Sequence, residues 1–180
     1  VPMVFPGFHD AHVHLTDAAR RMSCVSLKGV KNMAEFRKRL DDFYRRTPFF
    51  QRSSVAKHDT TESQDAAAAA TEWIVGGDWN ENDWDPPSAV PDHSWFEGNL
   101  CEQHPVLLMR YDVHSAVINR TAMEACGLWG STAETWADPV GGVVVRDARG
   151  HPTGLLRETA MEIPRKRWIA TALAGGGGDG

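Results

Sequence analysis

Two histidines, His12 and His14, end the run Pro6-Gly7-Phe8-His9-Asp10-Ala11-His12-Val13-His14-Leu15. The run reads as a strand, because alternate positions differ in character and strand side chains alternate between faces. Phe8, Asp10, His12 and His14 share one face. Gly7, Ala11, Val13 and Leu15 share the other, which is small and apolar and fit to lie under a helix layer. Successive same-face positions lie roughly 7 Å apart, so two neutral imidazoles can meet on one zinc or similar ion. At the C-terminal end of a strand in a (β/α)₈ barrel they would lie on the catalytic face.

A second polar group follows the apolar run Val106-Leu107-Leu108-Met109-Arg110-Tyr111, which reads as a buried strand. Asp112 and His114 come directly after it, at a turn expected to lead into a helix. Ser115 is the expected cap of that helix, which carries Ile118, Ala122, Met123 and Cys126 and stops at Gly127. Such turns offer polar side chains to a site, although the pair can equally bond each other or the adjacent backbone. Glu158, after Leu156-Arg157, reads by itself as a plain helix-surface carboxylate.

The positioning elements follow from periodicity and caps. Asn32 with Glu35 three residues on reads as a helix start, and Met33, Phe36, Leu40, Phe43 and Tyr44 fall on one face. The helix is expected over Met33–Arg46 and ends before Thr47-Pro48. Its charged residues form a solvated face. Residues 51–71 are polar, then alanine-rich, and read as a disordered insertion. Glu72-Trp73-Ile74-Val75-Gly76 reads as a short buried strand, followed by a turn-rich acidic and aromatic loop through Trp84. The spacing of Asp78, Glu81, Asp83 and Asp85 does not match a calcium loop; the tryptophans are expected over the core or at a pocket mouth. Gly141–Arg146 and Pro152–Leu156 read as a hairpin around Asp147–Gly150. A helix over 157–163 is expected to stop at Pro164. Arg165-Lys166-Arg167 reads as a solvated basic cluster, and the glycine-rich end as a floppy tail.

Taken together these segments carry a resemblance. Pro-Gly-Phe-x-Asp-Ala-His-x-His-Leu resembles the first barrel strand of the amidohydrolase superfamily. Val25-Ser26-Leu27-Lys28-Gly29-Val30, Trp73-Ile74-Val75-Gly76-Gly77-Asp78-Trp79-Asn80, Arg110-Tyr111-Asp112-Val113-His114-Ser115 with Asn119, and Arg146-Asp147 through Leu155-Leu156 resemble the branch called amidohydrolase family 3, in family order over residues 1–163. Asp78 and Val113 stand where that family usually has glycine, and Val113 is expected to alter the turn presenting His114. His9 stands where an apolar residue is usual, and residues 49–71 look like an insertion.

The resemblance implies an α/β fold: a partial TIM-barrel-type metal-dependent hydrolase, with its first barrel strand and an α/β insertion. The corresponding divisions are 1–48 (first barrel strand and following helix), 49–71 (disordered insertion), 72–164 (α/β insertion with strand-helix and hairpin) and 165–180 (flexible tail). It implies His12 and His14 as metal ligands and Glu158 as a further ligand or pocket residue. His114, Asp112 and Asp10 are the catalytic candidates, with Asp10 expected to orient the ligands and His114 to meet the carbonyl oxygen or the substrate. The implied cofactor is a divalent metal, zinc by preference. The implied reaction is hydrolysis of a non-peptide carbon–nitrogen bond in a small amide-type substrate by metal-activated water. The general base, an aspartate from a late strand in the family, is missing from this sequence. The chain is therefore expected to be an N-terminal fragment, inactive by itself.

Composition sets bounds on this. At 180 residues the chain suffices for a domain with a real core but is shorter than the ~250 residues of a complete eight-fold barrel. A net charge of −5 gives no electrostatic support for a nucleic-acid partner. Cys24, Cys101 and Cys126 are widely spaced and odd in number, and read as reduced, buried thiols. No apolar run approaches the ~18 residues of a membrane span. Location and oligomeric state stay open, with the cytoplasm as the default. Two rival readings are a His-x-His metal-dependent phosphoesterase and a non-catalytic, degenerate homologue acting as an interaction module.

Overall fold

Asn32 begins the first helix as its capping signature predicts. Its side chain accepts from Glu35 N at 2.8 Å, while Glu35 Oε2 accepts from Lys31 N at 3.0 Å. The computed structural model describes residues 23–48, 50, 72–87, 90–130 and 136–175. Helix α1 spans Met33–Arg46, as expected. Phe36 and Leu40 are fully buried, with Met33, Phe43 and Tyr44 packed beside them. The opposite face carries Lys38–Asp42 and Arg39–Glu35 ion pairs.

Strands β1 (Val25–Ser26), β2 (Ile74–Trp79), β3 (Val106–Arg110), β4 (Ser115–Ile118), β5 (Gly142–Arg146) and β6 (Pro152–Glu158) form one sheet in the order β1-β2-β3-β4-β6-β5. β1, β2 and β3 are parallel neighbours; β3–β4, β4–β6 and β5–β6 are antiparallel pairs. β6 therefore runs in the direction of β3, and the carboxyl ends of β1, β2, β3 and β6 share one edge. β1 and α1 thus join the same sheet and core as residues 72–164, across the division expected near residue 48.

Each face of the sheet has its own core. Ile74, Val106, Leu108 and Val117 face α1 and an aromatic cluster. There Phe36 lies 5.3 to 6.1 Å, centroid to centroid, from Trp79, Trp84, Trp95 and Phe96. The tryptophans are therefore core residues, one of the two roles expected of them. Leu107, Ala116, Ile118, Val144 and Leu156 face the other core, under helices α2 (Arg120–Ala125) and α3 (Glu162–Gly175). β4 is central and buried on both faces.

Strand β2 starts at Ile74 and continues past the expected end at Gly76 to Trp79, and it contains a bulge. Its register against β3 shifts between Gly77 and Trp79, leaving Asp78 as the extra residue at φ +70°. Simple alternation would put Trp79 on the face of Val75. The bulge turns it into the aromatic core, where it is fully buried. Gly76 and Gly77 are required by close approach: a Cβ would lie 2.0 Å from Val25 O and 1.9 Å from Met109 O.

Three expectations are corrected. Ser115 caps no helix, because residues 115–118 form β4. Asn119 is the cap of α2. It is 1% exposed and fully engaged: Oδ1 accepts from Ala122 N and Val106 N, and Nδ2 donates to His104 O and Glu102 O. Asp112 and His114 consequently lie in a strand-to-strand turn, not a strand-to-helix turn. Finally, Arg157 and Glu158 end β6, and after a short 3-10 turn α3 runs through Pro164 to Gly175, where a stop and a flexible tail from 165 were expected. Pro164 is the third residue of α3, inside the first turn, where a missing N–H costs no helical bond. The hairpin is present: Asp147 Oδ1 accepts from Arg149 N and His151 N, and Gly150 closes the turn at φ +88°.

Candidate functional site

At the carboxyl edge of the sheet, on the aromatic-core side, a groove of about 530 Å³ opens between the ends of β3 and β6. In open α/β sheets ligands bind beyond the carboxyl ends of strands. Alternation along β3 places Arg110 on the face of Val106 and Leu108, at the point where that face leaves the core. Its Nε donates to Glu81 Oε2 at 2.9 Å and its Nη1 to Asp112 Oδ2 at 2.5 Å. Glu81 sits in the 3-10 turn after β2, and the parallel pairing of β2 with β3 brings that turn beside Arg110.

The three side chains are largely shielded, with 15–25% of their surface exposed. Burial works against the Arg110 charge, but Glu81 and Asp112 outweigh it and raise the guanidinium above its ordinary value. Burial likewise opposes the Asp112 charge. Hydrogen bonds from His114 N, Arg110 and Ser115 outweigh it and hold the carboxyl below its ordinary range.

Asp112 then orders the turn. Its Oδ1 accepts from His114 N at 3.0 Å, and Val113 N donates to Arg110 O at 3.1 Å. Val113 occupies φ +58°, a region that favours glycine and is a genuine outlier for a β-branched residue. His114 is thereby set opposite Glu158. Glu158 N donates to His114 O at 3.0 Å, and His114 Nδ1 lies 3.2 Å from Glu158 Oε2. Glu158 itself sits at φ +51°, ψ −128°. Both side chains are more than half exposed, so their pairing contributes little to stability. What the arrangement provides is an imidazole and a carboxylate, held in strained backbone and open to the groove.

The structure thus brings together Asp112, His114 and Glu158 of the sequence-predicted residues. Asp10, His12 and His14 lie outside the described residues. Glu81, Arg110 and Arg157 also line the groove and were missed as site residues. The Arg-x-Asp spacing was a usable signal for Arg110, since it puts the two side chains at one strand end. Among the described residues no three His, Cys, Asp or Glu side chains converge to hold a metal. Glu158 and His114 are of the right donor type for a divalent ion, and further donors would come from outside the described set.

A profile of the Amidohydrolase family matches residues 2–179, nearly the whole chain. The chain belongs to the amidohydrolase family. It is 34% identical over 161 residues to "Protein LONG AFTER FAR-RED 3" of Arabidopsis thaliana, an alignment covering 89% of this chain and 23% of that protein. It is 30% identical over 161 residues to "Putative amidohydrolase YtcJ" of Bacillus subtilis (strain 168), covering 89% of this chain and 25% of that one. The chain therefore spans about a quarter of the length of the curated relatives it matches. Among solved structures it is similar to an uncharacterized metal-dependent hydrolase from Pyrococcus furiosus, at 20% identity and a TM-score of 0.49, covering 94% of this chain and 28% of that one. A second, from Pyrococcus horikoshii OT3, has the same identity and TM-score, covering 90% and 24%.

Proposed function

We propose that this chain forms part of a metal-dependent hydrolase that cleaves a carbon–nitrogen bond in a small amide-type substrate. The observation that carries the reading is the family match, which extends over residues 2–179 and so takes in both the His-x-His segment and the groove that presents His114 and Glu158. In this reading the His-x-His segment is the first strand of a TIM-barrel-type domain, and the six-stranded sheet is the α/β unit beside it. His12, His14 and Glu158 would hold a divalent ion, zinc by donor type. Such an ion, when bound, acidifies water toward a pKa of ~7 and polarises a carbonyl.

The chain's own residues have distinct parts. Arg110, clamped by Glu81, fixes Asp112. Asp112 fixes the turn that carries His114. His114 sets the direction of the Glu158 carboxylate through two contacts, one from its backbone and one from its ring. In this reading Asp10 would orient His12 and His14. The open side of the groove admits the substrate. The test is zinc titration of the full-length protein against the double variant His12→Ala, His14→Ala. A large loss of affinity is expected; equal affinity in variant and parent removes the metal site.

A further inference from the structure

Two arginines lie on one sheet face at the groove, and their bonding is opposite. Arg110 has its charge matched twice, by Glu81 and Asp112. Arg157 lies two strands over, on β6, with β4 between. It pairs across the sheet with Ser115 on one side and Val143 on the other, so it shares their face. Its side chain is exposed and lines the groove, and among the described residues its guanidinium has no ion pair or hydrogen bond. The neighbouring acids are engaged elsewhere: Glu81 and Asp112 by Arg110, Glu158 by His114. Apolar side chains share the groove with these charged groups. Val90 and Val143 are 66% and 44% exposed, and Leu155 forms the floor.

We infer that Arg157 binds a carboxylate of the substrate. The molecule cleaved then carries an anionic group next to a short apolar group, which rests on Val90 and Val143, with its amide toward Glu158. A guanidinium with all its donors open pairs with a carboxylate in bidentate fashion, and flanking apolar walls strengthen the contact by excluding water. The inference deepens the amidohydrolase reading and rests on it for where the amide lies. The carboxylate contact can be tested without turnover.

The experiment is calorimetric binding of two probes to the metal-loaded full-length protein at pH 7: N-acetyl-leucine, which is anionic, and N-acetyl-leucinamide, which is neutral and nearly isosteric. The acid is expected to bind at least tenfold more tightly. Arg157→Gln should abolish the preference with an unchanged unfolding midpoint, and Arg157→Lys should restore part of it. Equal binding of the two probes, binding of neither, or a preference that survives in Arg157→Gln overturns the assignment; the last outcome would place the carboxylate on the metal instead. Hydrolysis is scored separately. A preference that depends on Arg157 without cleavage of any amide leaves this contact standing and removes the hydrolase reading. Cleavage without the preference does the reverse.

Discussion

The two ends of the groove are built on different principles. At the β3 end, Glu81, Arg110 and Asp112 are shielded, satisfied and close in distance, and Arg110 itself ends an ordinary strand. At the β6 end, His114, Arg157 and Glu158 are exposed, and the backbone at Val113 and Glu158 is strained. A charge whose partners are already in place is scaffold. A charge or carboxylate held open, in backbone that would relax if allowed, is available to something that binds. The difference predicts that mutations at the first end act on stability and those at the second on ligands.

Arg110→Ala is the strongest test of the scaffold end. It leaves two partly buried carboxylates facing each other and should cost about 3 kcal/mol in urea unfolding, near the lower bound for breaking a shielded pair. A loss under about 0.5 kcal/mol would place Arg110 with the open residues. The acid limb of stability should follow the same pair. Asp112 has a folded pKa below its unfolded value of ~3.9, so its contribution is complete above that value and is lost as pH falls through the lower, folded pKa. Unfolding followed from pH 5 to pH 2 should show that loss, and Asp112→Asn should flatten the part it contributes.

Val113→Gly sharpens the strained end. Glycine adopts positive φ freely, and removing the β-branched side chain should stabilise the protein by about 1 kcal/mol despite the added unfolded-state entropy. A destabilisation would mean that the half-exposed valine makes contacts worth more than the strain. The smallest effect is expected for Arg157→Ala, within about 0.5 kcal/mol in the same assay, as for a surface residue with no partner among the described residues. A loss comparable to that of Arg110→Ala would erase the distinction between the two arginines.

How much of this the sequence displayed depends on the range of the interactions. Helix α1 was legible because Asn32, Glu35 and the apolar stripe act within a few residues of each other. The β5–β6 hairpin was legible for the same reason. β4 was not: Ser115-Ala116-Val117-Ile118 is a short apolar run buried on both faces, and such runs do not separate strand from helix by periodicity. It pairs with β3 just before it and with β6 some forty residues later, and the second, distant pairing is what makes it a central strand. The extent of α3 was hidden because Pro164 looks like a stop but lies in a first turn. In the groove, Asp112, His114 and Glu158 could be picked out by type and by family pattern. Glu81 could not, since it meets Arg110 only through the parallel register of β2 and β3. The bulge at Asp78 was visible only as a departure from glycine; its consequence, the burial of Trp79, required the register.

The thiols follow the same logic. Burial pushes Cys101 up to about 12 and Cys126 up to about 11, so neither offers thiolate near neutral pH. Buried thiols were expected; Cys101 is buried, Cys24 and Cys126 are only partly so, and all three are free of disulfides.

The most direct measurement is zinc affinity of the full-length protein with Glu158→Gln, which keeps size and hydrogen-bonding capacity while removing the charge. Affinity should fall by about tenfold or more, the scale on which even groups adjoining a metal are felt. Unchanged affinity, with the protein folded as before, would contradict the assignment of Glu158 and leave the open end of the groove without a metal to serve.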